Sequence, residues 1–184
     1  MVAVDNLIVM DGVLENPQAY REHCLSLEYR DYDFGHCIFR GIGLGIVCTE
    51  LMAKIKDINA SLQPTLTFVR KSPKGQAEPN YIHTDIDMGE WSALLYLNPN
   101  PPAEDGTTFY THKETGTIGS FVPHERSIEG HHPELWEVRE KVDAKFNRLL
   151  MFPSHYFHSR AIFDNWGEDT NARLVQVTFG KGVL

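Results

Sequence analysis

The spacing of apolar and polar positions changes character once along this chain, at Pro64. Before it the helical period appears twice. Asn16-Pro17 has the form of a helix start, a capping side chain followed by proline at the first helical position. The helix is expected to run to about Glu28 with Tyr20, Cys24 and Leu27 facing inward. A second helix is predicted from Thr49, because Leu51, Ile55, Ile58 and Leu62 make one apolar stripe. Ahead of both, Val2 to Met10 reads as a strand that Asp11-Gly12 breaks. Gly41, Gly43 and Gly45 lie between the helices and lack the continuation of a phosphate loop, so a bend or bulged strand is predicted there.

After Pro64 the period shortens to two. Thr65 to Lys71, Asn80 to Ile86, Trp91 to Leu97, Thr107 to His112, Arg148 to Phe152, Tyr156 to Phe163 and Ala172 to Gly180 are β-prone runs. Turn signals such as Asn98-Pro99 and Asp105-Gly106 separate them. Pro133 to Asp143 carries Leu135, Val138 and Val142 at helical spacing and is predicted as one interrupting helix. The pattern as a whole predicts a mainly β sandwich or barrel with flanking helices. With 184 residues the chain is long enough for one full-sized core. A single domain over 1–184 is expected, with 1–63 packing on a β core formed by 64–184.

Composition narrows the function classes. The net charge of −8, from 25 acidic and 17 basic residues, disfavours generic binding to nucleic acid or anionic membrane. Arg70, Lys71 and Lys74 form a local basic cluster, read as coating a loop. Cys24, Cys37 and Cys48 are unpatterned, as expected of reduced thiols. Met1 to Asn6 has no basic leader or long apolar run, and a cytoplasmic location is expected.

The chemistry centres on His83-Thr84-Asp85. On an extended segment, side chains two apart share a face, so His83 and Asp85 can converge on one point. Taken singly, a strand histidine and a turn aspartate are bland. A histidine from a later strand changes their meaning, because two imidazoles and one carboxylate on one face of a metal leave positions open, the arrangement of non-heme Fe(II) oxygenases. Pro153 to Ser159 offers His155 and His158, and His158 is favoured because the strand resumes there. His23, His36, His112, His124, His131 and His132 are read as surface or loop residues. Arg173 shares a strand face with Val175, Val177 and Phe179, where a cation is costly unless paired. It is the first candidate to hold the far carboxylate of a 2-oxo acid, and Arg160 is the second.

Several ordered blocks between Thr65 and Gly180 then carry a resemblance. Tyr81-Ile82-His83-Thr84-Asp85, Ser92-Ala93-Leu94-Leu95-Tyr96-Leu97-Asn98, Asp105-Gly106-Thr107-Thr108-Phe109-Tyr110 and Asn147-Arg148-Leu149-Leu150-Met151-Phe152-Pro153 precede His158 and Arg173. Together they resemble the prolyl 4-hydroxylase-like branch of the 2-oxoglutarate- and Fe(II)-dependent oxygenases, and a microbial family within it. Thr107 stands where that branch has a second glycine, and the stretch from His158 to Arg173 is longer than its norm. The resemblance implies a double-stranded β-helix of the jelly-roll or cupin type. It implies Fe(II) held by His83, Asp85 and His158, and 2-oxoglutarate held by Arg173 with Tyr96 and, more weakly, Tyr81. The implied reaction uses O2 to hydroxylate a C–H bond while 2-oxoglutarate is decarboxylated to succinate and CO2. The implied substrate is a small molecule, an amino acid or a peptidyl side chain. A zinc hydrolase and a non-catalytic β-barrel binding module are the competing readings. The long segment 111–132 is a candidate substrate lid, and the oligomeric state is left open.

Overall fold

The computed structural model describes residues 2–4, 6–33, 38–76, 81–123, 126, 128–162 and 164–184, with the backbone alone for 2–4. In chain order the N-terminal elements are β1 (Val2–Val4), β2 (Leu7–Asp11), α1 (Pro17–Leu25), β3 (Tyr29–Asp33), β4 (Ile38–Gly43) and α2 (Thr49–Ile58). There follow β5 (Gln63–Ser72), β6 (Trp91–Tyr96), β7 (Gly106–His112), β8 (Trp136–Asp143), β9 (Arg148–Pro153), β10 (His158–Arg160) and β11 (Arg173–Lys181). A large antiparallel sheet has the order β1-β2-β9-β6-β11-β5-β4-β3, and a small one the order β10-β7-β8. Among the described residues no helix is long and apolar enough to cross a membrane.

Both faces of the large sheet are covered, which explains why its central strands read as nearly unbroken apolar runs. Trp91, Ala93 and Leu95 of β6, Leu149 and Met151 of β9 and Leu174 of β11 join one core with Cys24, Leu51 and Ile55 from the helices. The alternate residues Tyr96, Leu150, Phe152 and Val175 join a second core with Phe109 and Val142 of the small sheet. Each fully buried Leu or Phe contributes about 1.5–3 kcal/mol, so neither layer is dispensable. The buried polar Gln176 is satisfied: it accepts from Tyr20 Oη at 2.6 Å and donates to Thr67 Oγ1 at 3.0 Å, tying α1 to the sheet. Asn16 caps α1 by accepting from the Ala19 amide, and Pro17 follows it as the motif predicts.

Departures from the sequence reading have local causes. The expected first strand is a hairpin, turned at Asn6 with φ 63°. Helix α1 stops at Leu25 rather than Glu28, and β3 and β4, which periodicity did not reveal, follow it as a second hairpin at the sheet's other edge. Gly41 has φ 65°, and a Cβ there would lie 2.0 Å from the Lys71 carbonyl oxygen, so the glycine is needed where β4 presses on β5. The predicted helix over Pro133–Asp143 is a correction: Pro133–Leu135 is a short 3-10 turn, and Trp136–Asp143 is strand β8. A register shift between Phe109 and Tyr110 interrupts the alternation of β8 against β7 and leaves Val138 exposed. That irregularity gave the strand its helix-like spacing. Cys37 and Asn80 lie outside the described residues; Cys24 and Cys48 are buried free thiols.

Two outcomes test this packing. Gly106 opens β7 with φ 151°, and a Cβ on it would sit 2.1 Å from the Val142 carbonyl oxygen. Gly106→Ala should cost roughly 2–4 kcal/mol in urea unfolding. Asp11, at the edge of β2, accepts from Arg148 Nε at 2.6 Å and from Lys145 Nζ at 2.7 Å. The hydrogen bond from Arg148 holds its carboxyl well below the usual range, against the opposing effect of burial. A depressed folded-state pKa means this stabilisation is present above the ordinary aspartate value of about 3.9 and lost as pH falls below it. Because the side chain is 40% exposed, Asp11→Asn should cost no more than about 1 kcal/mol at pH 7. The difference from the parent should vanish in acid, which unfolding curves at both pH values would show.

Candidate metal centre

His83 and Asp85 sit on an extended stretch between β5 and β6 that is held on both sides by backbone bonds. Ile82 donates to the Gly130 carbonyl at 3.1 Å, His83 and His158 exchange bonds of 3.0 and 2.9 Å, and Asp85 donates to Ser154 at 2.8 Å. Only the His83–His158 bridge is regular pairing, so the predicted strand is reduced to a bridge. Alternation nevertheless holds. Ile82 is buried with Tyr110, Trp136 and Phe157, while His83 and Asp85 turn the other way.

There they meet His158. One ligand atom from each of the three residues lies within 4.8 Å of the others. His158 Nε2 is 3.3 Å from Asp85 Oδ2, His83 Nε2 is 3.6 Å from Asp85 Oδ1, and the imidazole centroids are 4.5 Å apart. Each Nδ1 faces a backbone carbonyl, that of Tyr81 at 3.0 Å for His83 and that of Tyr156 at 2.9 Å for His158. A carbonyl only accepts, so the proton belongs on Nδ1 and the Nε2 lone pairs aim at the common point. Ser92 Oγ donates to Asp85 Oδ2 at 3.0 Å and meets Ser154 Oγ at 2.8 Å. With no metal between them, burial would raise the Asp85 carboxyl, but attraction to His158 and hydrogen bonds from both imidazoles, each in the protonated form that also carries a proton on Nε2, hold it well below the carboxylate range. His83 is lowered by burial and raised more strongly by Asp85, with a net upward shift. Phe152 and Phe109 wall His158 at centroid distances of 4.7 and 6.2 Å. Two neutral imidazoles and an ionised carboxylate on one side of a point, with outer hydrogen bonds fixing each, fit a divalent iron-type metal.

A second group of polar side chains lies deeper on the same inner face. In the small sheet His158 pairs with Phe109, and Arg160 pairs with Thr107. Thr107 is thus two strand residues, about 6.6 Å, from the level of His158. Its Oγ1 meets Tyr96 Oη at 2.8 Å. Burial pushes the Tyr96 phenol up to about 12, which keeps it a neutral donor. Arg173, 6% exposed, is within electrostatic reach of Tyr96 and donates from Nε to both oxygens of Asp105 at 3.2 Å. The anion that an Arg on this apolar face requires is therefore supplied in part by the chain itself. Arg160 donates to Asn165 Oδ1 at 2.6 Å and leans into the loop before β11.

Tyr81 brings its ring to 5.2 Å from His83 and 5.0 Å from His131, so it lines the mouth of the centre. His155 is not in the cluster; its ring stacks on Phe121 at 4.2 Å. Two sequence readings need correction. His112 is buried rather than on the surface or in a loop, with Nδ1 3.1 Å from Thr115 Oγ1 and Nε2 3.2 Å from Glu129. His23, His131 and His132 are exposed as read, and His36 and His124 lie outside the described residues. Arg70 does not coat a loop: its register opposite Val175 puts it on the inner face, and its charge acts on His83. Asp105, Thr107, Ser92 and Ser154 were missed as site residues. Strand alternation places Thr107 with Phe109, and Ser92 with Tyr96, so two of the four had a signal. The described parts of 111–132 run beside the ligand segments, with Gly119 bridged to Tyr156 and Gly130 pressed on Ile82.

No family model matches the sequence, and no curated protein is similar to it. Solved structures are similar in fold. The viral collagen prolyl hydroxylase of Paramecium Bursaria Chlorella virus-1 aligns over 100% of this chain and 95% of its own at TM-score 0.56 and 13% identity. HygX from Streptomyces hygroscopicus, solved with nickel and 2-oxoglutarate, aligns over 94% and 81% at TM-score 0.54 and 15% identity. The epimerase SnoN, in complex with Fe3+, alpha ketoglutarate and nogalamycin RO, aligns over 95% and 78% at TM-score 0.57 and 12% identity. With the inner-face cluster of His83, Asp85 and His158 between its two sheets, this chain has the double-stranded β-helix fold found in 2-oxoglutarate- and Fe(II)-dependent oxygenases, prolyl hydroxylases included.

Proposed function

We propose that this protein is a 2-oxoglutarate- and Fe(II)-dependent dioxygenase that hydroxylates a C–H bond of an amino-acid or peptidyl side chain. The observation that carries the reading is the shared aim of the His83 and His158 Nε2 atoms and the Asp85 carboxylate, with both Nδ1 atoms tied to backbone carbonyls. The substrate class is supported by the fold likeness to a collagen prolyl hydroxylase. HygX, solved with hygromycin B, has the same fold, and it keeps a non-peptide small molecule as the alternative substrate.

His83, Asp85 and His158 would hold the metal, and Arg173 with Tyr96 would hold the far carboxylate of 2-oxoglutarate. When bound, that pair supplies O2-dependent oxidation of a substrate C–H bond coupled to conversion of 2-oxoglutarate to succinate and CO2. The chain's own part is positioning and exclusion. Ser92 fixes which way Asp85 presents its oxygens. Phe109 and Phe152 keep water from the His158 side, so charges in the pocket act in a weakly screened medium. Tyr96 offers a neutral O–H beside Thr107, and Arg173 a permanent charge beside Asp105, on the inner face that His158 also shares. Tyr81 and the ring of His131 stand where a substrate enters.

His83→Ala, Asp85→Ala and His158→Ala should each abolish Fe(II)-dependent succinate formation and Mn(II) binding, while circular dichroism stays unchanged. His155→Ala should retain both, because its ring packs on Phe121; the reverse result for His155 and His158 would move the third ligand. Ser92→Ala should weaken Mn(II) binding by roughly tenfold. A zinc hydrolase would show no 2-oxoglutarate turnover with Fe(II), and a binding module would bind it without forming succinate.

Cosubstrate affinity of the Mn(II) form separates the two arginines. Arg173→Ala should weaken 2-oxoglutarate binding by about two to three orders of magnitude. Tyr96→Phe should lose about 1 kcal/mol, the value of one hydrogen bond. Arg160→Ala should do much less, and a large loss there instead would place the anchor on β10.

A further inference from the structure

The pairing of Arg173 with Asp105 uses one side of the guanidinium only. Both bonds to Asp105 come from Nε, 3.2 Å to each carboxylate oxygen, and the two Nη nitrogens donate to no described residue. An Arg held end-on by a carboxylate spends both Nη groups on it; held at Nε, it keeps that fork for another anion. We propose that Asp105 is a positioning residue that aims the Arg173 fork at the far carboxylate of the 2-oxo acid, an inference that rests on reading Arg173 as that carboxylate's anchor.

Asp105 is built to do this rigidly. It is 1% exposed. Its amide donates to Pro102 at 3.0 Å, and its carbonyl accepts from Ala144 at 2.8 Å. The next residue, Gly106, has no room for a side chain against Val142, so the backbone that carries Asp105 is fixed on both sides. Beyond Gly106, Thr107 meets Tyr96, so three consecutive residues at the start of β7 set the floor of the pocket: an acid that orients Arg173, a glycine that permits the approach, and a hydroxyl that orients Tyr96. Asp105 also keeps a buried cation paired when no cosubstrate is bound, which spares the empty site the cost of an isolated charge. The threonine that departs from the double-glycine pattern belongs to the same device.

The test compares the parent, Asp105→Asn and Arg173→Ala in the Mn(II) form by calorimetric titration with two ligands. One is 2-oxoglutarate; the other is 2-oxovalerate, which has the same chelating head and a methyl group where the far carboxylate would be. Asparagine offers one acceptor and no charge, so Asp105→Asn should bind 2-oxoglutarate roughly ten- to a hundredfold more weakly. Its 2-oxovalerate and Mn(II) affinities should remain within about twofold of the parent, since the fork has nothing to hold there. An equal loss for both ligands would make Asp105 merely structural and overturn the proposal. Unchanged or tighter 2-oxoglutarate binding, with Arg173→Ala still damaging, would overturn it and leave the anchor standing. Parent-like affinity in Arg173→Ala would remove the anchor and the proposal together. If Asp105→Asn does not fold, Asp105→Glu, which keeps the charge one methylene further out, should show the same selective loss in smaller measure, and a loss shared by both ligands would count against the proposal in the same way.

Discussion

The demand that both faces of one sheet be buried governs this molecule. β6, β9 and β11 carry large apolar side chains on both sides, so the sheet needs a cover on each. Helices α1 and α2 provide one with their apolar stripes. The small sheet β10-β7-β8 provides the other, and in doing so it creates a space between two sheets where polar chemistry can be both shielded and reachable. The candidate metal ligands His83, Asp85 and His158 are the inward positions of that second cover and of the segment bridged to it. Their polarity is tolerated because each is hydrogen-bonded: both imidazoles to carbonyls and Asp85 to Ser92.

Much of this was legible from periodicity because burial on a face leaves a regular mark. The stripe Leu51, Ile55, Ile58 and Leu62 indicated α2, and period-two runs placed β5, β6, β7, β9 and β11 within a residue or two of their bounds. Failures came where another force overrides the period. β8 was read as a helix because the register shift between Phe109 and Tyr110 spoils its alternation, and only the unfilled edge of β7 makes it a strand. β3 and β4 were hidden because glycines supply close approach rather than an apolar mark.

The metal cluster was the more legible part of the site, since H-x-D on an extended backbone constrains direction as well as identity. The pocket floor was less so. An argument from cost alone said that Arg173 needs an anion, but cost does not say which. Asp105 was seen as the first half of a turn signal and the start of a resembling block, with no role for its side chain, whose contact lies 68 residues distant. Arg70 was misplaced for a related reason: three basic residues close in sequence look like one patch, whereas strand alternation turns Arg70 away from Lys71 and toward His83.

The order of strands in the large sheet bears on how the chain reaches this state. β11 lies between β5 and β6, so two strands from residues 63–72 and 91–96 are joined only through one from residues 173–181. Pairings across on the order of a hundred residues are slow to form, since loop closure precedes any gain from contact. Until β11 is in place, β5 and β6 present facing edges with open hydrogen-bonding groups and apolar sides. Such a gap accepts any extended segment, including β11 of another molecule. Refolding should therefore be limited by a single late insertion, and crowded refolding should divert material into strand-exchanged species before the candidate metal centre is complete.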